Sequence, residues 1–93
     1  MIQKVKHKGL RNFFEKDQAK GINPDWINRI QRILTLLDAA SEPAGMDVPG
    51  MHLHPLKGDF EGFWSVRVTG NWRIIWRFDE DGHATDVDLT DYH

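Results

Sequence analysis

Hydrophobic residues recur every three or four positions through the first half of the chain and every second position from Met51 onward. The first regime predicts helices and the second strands. Residues 2–6 (IQKVK) alternate apolar and basic side chains and predict a short strand. Leu10, Phe13 and Phe14 fall at helical spacing, and Gly21 offers a C-terminal stop, so a first helix is expected over residues 8–20. Asn23 before Pro24 reads as an N-cap followed by proline in the first helical position. With Trp26, Ile30, Ile33, Leu34 and Leu37 forming an apolar stripe, a second helix is expected to about Ala40. Residues 41–50 hold two prolines and two glycines and predict a loop.

Strands are expected over residues 51–56, 63–68, 72–78 and 83–90, joined by GDFEG, a turn at Gly70-Asn71, and DEDG. Such short connections allow only antiparallel hairpins. The fold class is therefore α+β: two N-terminal helices packed on one face of an antiparallel sheet of four strands, or five if residues 2–6 join it. In the strand NWRIIWRF, Trp72, Ile74, Trp76 and Phe78 take one face and Arg73, Ile75 and Arg77 the other. The strand FWSVRV divides likewise into Trp64, Val66 and Val68 against Ser65 and Arg67. One face is core; the other carries arginines on neighbouring strands. These are either a solvated sheet face paired with aspartates or a platform for phosphate groups.

Length then limits the organisation: 93 residues predict one domain, residues 1–93, with one core. Cysteine is absent, which removes disulfides and thiol nucleophiles and suits a reducing compartment. No apolar run approaches the roughly 18 residues of a membrane span. The start MIQKVKHKGL lacks a signal-peptide core, so a cytoplasmic protein with no membrane partner is expected. The net charge of −2 is unfavourable for a nucleic-acid binder, but its distribution matters more. Residues 1–20 hold Lys4, Lys6, Lys8, Arg11, Lys16 and Lys20 against Glu15 and Asp17, whereas residues 79–91 hold six acids and no lysine or arginine. One side of the molecule should be basic and the other acidic.

Two segments carry candidate chemistry. In Leu53-His54-Pro55-Leu56-Lys57-Gly58, Pro55 cannot donate a ladder hydrogen bond and holds His54 extended, fixing its direction. His52 and His54 have a spacing compatible with a metal, but without cysteine or an acidic partner the signal is weak, and no metal or other cofactor is expected. The chain ends in Asp91-Tyr92-His93 directly after a strand. These are either three solvated terminal residues or, if brought beside His54 and Arg73, part of a constellation suited to phosphoryl chemistry.

HKGL near the start, HPLKGD at residues 54–59, the hairpin from EGFWS to NWRI, and the final DYH together resemble the HigB toxins, the host-inhibition members of the RelE/ParE superfamily. The likeness runs through essentially the whole chain in the right order. It implies a RelE-like fold and a type II toxin that cleaves messenger RNA in the decoding site of the translating ribosome. It also implies silencing by a cognate antitoxin, typically a helix-turn-helix DNA-binding protein. By the same resemblance His54, Lys57, Arg73, Asp91, Tyr92 and His93 match the catalytic positions. Arg67 and Arg77 of the arginine face and Lys6 and Lys8 of the basic N-terminal segment are candidate contacts to the substrate. Two other classes stay open: a ParE-like toxin that poisons DNA gyrase, and a non-enzymatic domain whose arginine face binds an acidic partner protein.

Overall fold

The computed structural model describes residues 1–91. Helix α1, Lys8–Lys16, and helix α2, Ile27–Ala39, precede a four-stranded antiparallel meander of β1 His54–Pro55, β2 Trp64–Thr69, β3 Trp72–Phe78 and β4 Ala84–Asp91, in spatial order β1-β2-β3-β4. This is the expected α+β arrangement. Apolar residues at helical spacing, Leu10 and Phe13 on α1 and Ile30, Ile33, Leu34 and Leu37 on α2, are buried in one cluster with Val66, Val68, Ile74, Trp76 and Leu89 of the sheet.

The motif HKGL has a structural account. His7 is the N-cap of α1, its Nδ1 accepting the Leu10 N–H at 3.0 Å, and Leu10 is fully buried. A Cβ on Gly9 would lie 3.0 Å from the Gly21 carbonyl oxygen, so glycine lets the first turn of α1 pass close to that loop. The helix ends four residues earlier than expected, at Lys16. Asp17 turns left-handed at φ 56° and its N–H bonds back to Phe13, while Gln18 N–H reaches Asn12. At the second helix, Asn23 does cap, accepting from Asp25 N–H at 2.9 Å, but residues Pro24–Trp26 form a 3₁₀ turn before α2 begins.

The N-terminal segment lies along β4 through two parallel bridges, Ile2 to Ala84 and Val5 to Val87, rather than as a full strand. Its two inward residues are three apart, not two, because β4 bulges there. Asp86 adopts φ 53° and the β3–β4 register slips between Ile75 and Arg77. The first expected strand of the meander shrinks to two residues. Pro55 offers no N–H, and upstream His52 turns left-handed at φ 53°, which breaks the extended run. The second sheet face is also not wholly solvated: Ser65, Ile75 and Leu56 are buried, the latter two outside the main core cluster.

Candidate active site

Register places the candidate residues before any chemistry is assigned. His54 of β1 stands opposite Ser65 of β2, and Arg67 of β2 stands opposite Arg73 of β3. Directly opposed residues share a face, and Ser65 and Arg67 are two apart, so His54, Ser65, Arg67 and Arg73 lie on one side of the sheet. An open hollow of about 430 Å³ on that side is lined by His54, Pro55, Leu56, Lys57, Ser65, Asn71 and Arg73. Arg73, half-buried, directs Nη1 to Ser65 Oγ at 3.5 Å, while His54 and Lys57 are exposed.

The segment HPLKGD delivers two of these groups. Leu56 is buried and its N–H bonds to Phe63 O at 2.9 Å, tying down the chain between His54 and Lys57. Beyond Lys57, Gly58 takes φ 67° and opens the 3₁₀ turn Gly58–Phe60, which turns the chain away from the hollow. The β2–β3 hairpin delivers the rest: Thr69 pairs with Trp72 across Gly70-Asn71, with Gly70 at φ 52° as a glycine-led two-residue turn requires.

The Arg67 and Arg73 pair is electrostatically unusual. Both backbone polar groups of Arg67 point away from β3, its N–H to Met51 O at 2.9 Å and its carbonyl to the Arg29 guanidinium at 2.9 and 3.2 Å. Arg67 and Arg73 therefore form a non-hydrogen-bonded pair, the kind in which side chains approach most closely. Two cations opposed in this way repel. An anion seated between them would turn that repulsion into attraction, and a guanidinium fork matches phosphate oxygens.

The other expected contacts are elsewhere. Arg77 Nε donates to Asp86 Oδ2 at 2.7 Å, and that hydrogen bond is the main reason the Asp86 carboxyl is held below the ordinary carboxylate range, aided by Lys6, Arg77 and Lys4. Arg77 thus has the aspartate partner expected of a solvated sheet face, and the bulge at Asp86 supplies it. Lys8 lines a separate shallow hollow with Gly9, Asn12, Gln18, Lys20 and Gly21. Asp91 closes β4 opposite Trp72, one row beyond the Arg73–Thr90 pair, and so shares the Trp72 face of the sheet and not the face that carries His54 and Arg73. Tyr92 and His93 lie outside the described residues. Among the described residues no three of His, Cys, Asp and Glu gather as metal ligands. Sequence reasoning missed Ser65 and Asn71, which line the hollow; the alternation of FWSVRV put Ser65 on the arginine face, and Asn71 could have been noticed only as a turn residue.

Comparison with known proteins agrees with this layout. The family model described as the RelE-like toxin of the type II toxin-antitoxin system HigB matches residues 3–93. The chain belongs to the HigB-like toxin family. Among HigB relatives, Endoribonuclease HigB of Proteus vulgaris is 42% identical over 93 residues, covering 100% of both chains. Toxin HigB-1 of Vibrio cholerae serotype O1 is 33% identical over 91 residues, 96% of this chain and 95% of that one. The YoeB/ParE toxin from Agrobacterium tumefaciens superposes with a TM-score of 0.52 at 19% identity, covering 100% of this chain and 99% of that one, which shows a shared RelE-type toxin fold.

Proposed function

We propose that this HigB-family toxin is an endoribonuclease that cleaves messenger RNA in the decoding site of the translating ribosome, and that a cognate helix-turn-helix antitoxin neutralises it. The observation that carries the reading is the hollow in which His54, Lys57 and Arg73 converge, with Arg67 opposed to Arg73 on the same sheet face. The full-length likeness to a relative named as an endoribonuclease supports it.

RNA carries its own nucleophile. A base takes the proton of a 2′-hydroxyl, whose oxygen bonds to the adjacent phosphorus. The bond from phosphorus to the 5′-oxygen breaks, and an acid returns a proton to that oxygen, leaving a 2′,3′-cyclic phosphate and a 5′-hydroxyl. The sequence of steps calls for two proton-transfer groups and positive charge on the phosphate. Arg73 is assigned to the pentavalent phosphate, with Arg67 opposite it and Lys57 as a point charge at the rim. His54 is one proton-transfer group. The remaining roles rest on family resemblance alone: His93 as the other proton-transfer group, Asp91 orienting an imidazole or acting as base, and Tyr92 stacking on a base or donating a hydrogen bond.

With a net charge of −2, the chain is a weak electrostatic partner for free RNA, and the ribosome provides the positioning. The test is a purified reaction with programmed ribosomes. The expected result is cleavage of the message to cyclic-phosphate ends, little cleavage of naked RNA, and loss of activity on the order of 10²- to 10³-fold in Arg73→Ala. Near-normal cleavage by Arg73→Ala, or double-strand DNA breaks dependent on gyrase in place of cut transcripts, would overturn it.

A further inference from the structure

Arg29 lies on α2, outside the hollow, yet its guanidinium joins two pieces of backbone. Nε and Nη2 donate to the Arg67 carbonyl at 3.2 and 2.9 Å, and Nη2 also donates to the Gly50 carbonyl. Gly50 takes a left-handed φ of 89°, and a Cβ there would make only ordinary van der Waals contact with Arg29 Nη1, at 3.9 Å. The next residue, Met51, is fully buried and accepts the Arg67 N–H at 2.9 Å. Arg29 thus fastens the end of the long loop to the β2 residue whose side chain opposes Arg73.

The segment leading to His54 starts from Met51, which is fully buried, and Leu53 packs against the same core, so the pin sits at its upstream end. From Met51 it is three residues to His54, through a left-handed His52. β1 is only two residues long, and one of them is proline. Its downstream anchor is Leu56 on Phe63; its upstream anchor is the Met51–Arg67 bond that Arg29 braces. A three-donor fork reaching two carbonyls is a task for guanidinium, since an ammonium on a shorter stem does not reproduce that geometry.

We propose that Arg29 is a positioning residue of the RNA-cleaving site, holding the loop so that His54 stays in register with Ser65 and the Arg67 backbone stays fixed opposite Arg73. This rests on the function proposed above. Removing the pin misplaces His54 without removing any group that contacts RNA, so turnover falls while RNA binding persists. A displacement on the order of 1 Å near reacting groups lowers rates about 100-fold.

The experiment compares Arg29→Lys and Arg29→Met with the parent in the ribosome-dependent cleavage assay, with melting curves and NMR of the His54 imidazole. The expected result is a kcat about tenfold lower in Arg29→Lys and about 100-fold lower in Arg29→Met, with KM within about twofold. The His54 resonances should shift in both. Gly9→Ala, a destabilising change remote from the loop, serves as the control for stability alone and should leave kcat and the His54 signal unchanged below its melting temperature. Unchanged kcat in Arg29→Met, unmoved His54 resonances, or equal loss of kcat in Gly9→Ala at matched stability would overturn the assignment. If Arg73→Ala cleaves normally, the active-site reading itself fails; if Arg73 is required and Arg29 is not, only the positioning role fails.

Discussion

Replacing Arg73 by methionine should make the protein more stable and less active at once. Methionine keeps an unbranched stem of similar reach, so the packing of a half-buried side chain is largely retained while the charge is lost. The charge removed faces Arg67 directly across the β2–β3 ladder. For cations held about 6 Å apart in water, Coulomb's law gives about 0.7 kcal/mol of repulsion, within the range of roughly 0.2–1 kcal/mol measured for cross-strand pairs. Against it stands, among the described residues, a hydrogen bond to Ser65 Oγ at 3.5 Å, at the outer limit of hydrogen-bond geometry and worth little. The net expectation is a gain of about 0.5 kcal/mol, or roughly 2–4 °C in melting temperature for a domain of this size. Salt screens the repulsion between exposed charges, so the gain should shrink between about 20 mM and 500 mM salt. Calorimetry at both salt concentrations, with cleavage measured in parallel, checks the pair of effects. A lower melting temperature in Arg73→Met at low salt, or a gain indifferent to salt, would refute the opposed-charge geometry.

Local contacts give two further expected outcomes. Gly9→Ala should destabilise by about 1–2 kcal/mol in urea titrations although alanine is the better helix former, because the added Cβ meets the Gly21 carbonyl at 3.0 Å and His7 Cε1 at 3.1 Å. Asp79 and Asp86 are both held below the ordinary carboxylate value of 3.8, Asp79 chiefly by the His83 backbone N–H and Asp86 chiefly by the Arg77 side chain. A depressed folded-state pKa gives stability that is present above 3.8 and is lost as pH falls from there through the lowered values, so acid melts of the Asp79→Asn, Asp86→Asn double variant should show a flatter pH dependence in that window than the parent.

Where local pattern and tertiary contacts agreed, the chain could be read directly. Helix α2 was visible because a capping asparagine, a proline and a buried stripe of Ile30, Ile33, Leu34 and Leu37 all point to one element. The β2–β3 hairpin was visible because strict alternation flanks a Gly-Asn turn. The short β1 and the bulged β4 were not, since the left-handed residues His52 and Asp86 have no signature beyond an ordinary histidine and aspartate. The site divides the same way. Family motifs marked His54, Lys57 and Arg73, and the hollow gathers all three. Arg29 gave no signal: its partners are carbonyls 21 and 38 residues away, and backbone acceptors leave no mark in a sequence. By alternation alone Arg77 looked equivalent to Arg73; the bulge at Asp86, which gives Arg77 a carboxylate partner, left no mark in that pattern.

That distinction explains how a chain of net charge −2 can present a cationic site. Cations near the N-terminal edge and Arg77 face Asp86, whose carboxylate draws on Lys4, Lys6 and Arg77 together. Across the sheet, Arg67 and Arg73 face each other instead, and Lys57 lies on the rim of the same hollow. A fold optimised for stability alone would replace one of the opposed arginines, because the sheet is already held by the core on its other face. Their presence side by side suits a polyanionic substrate, for which two preorganised cations reduce the rearrangement needed as charge builds on the reacting phosphate.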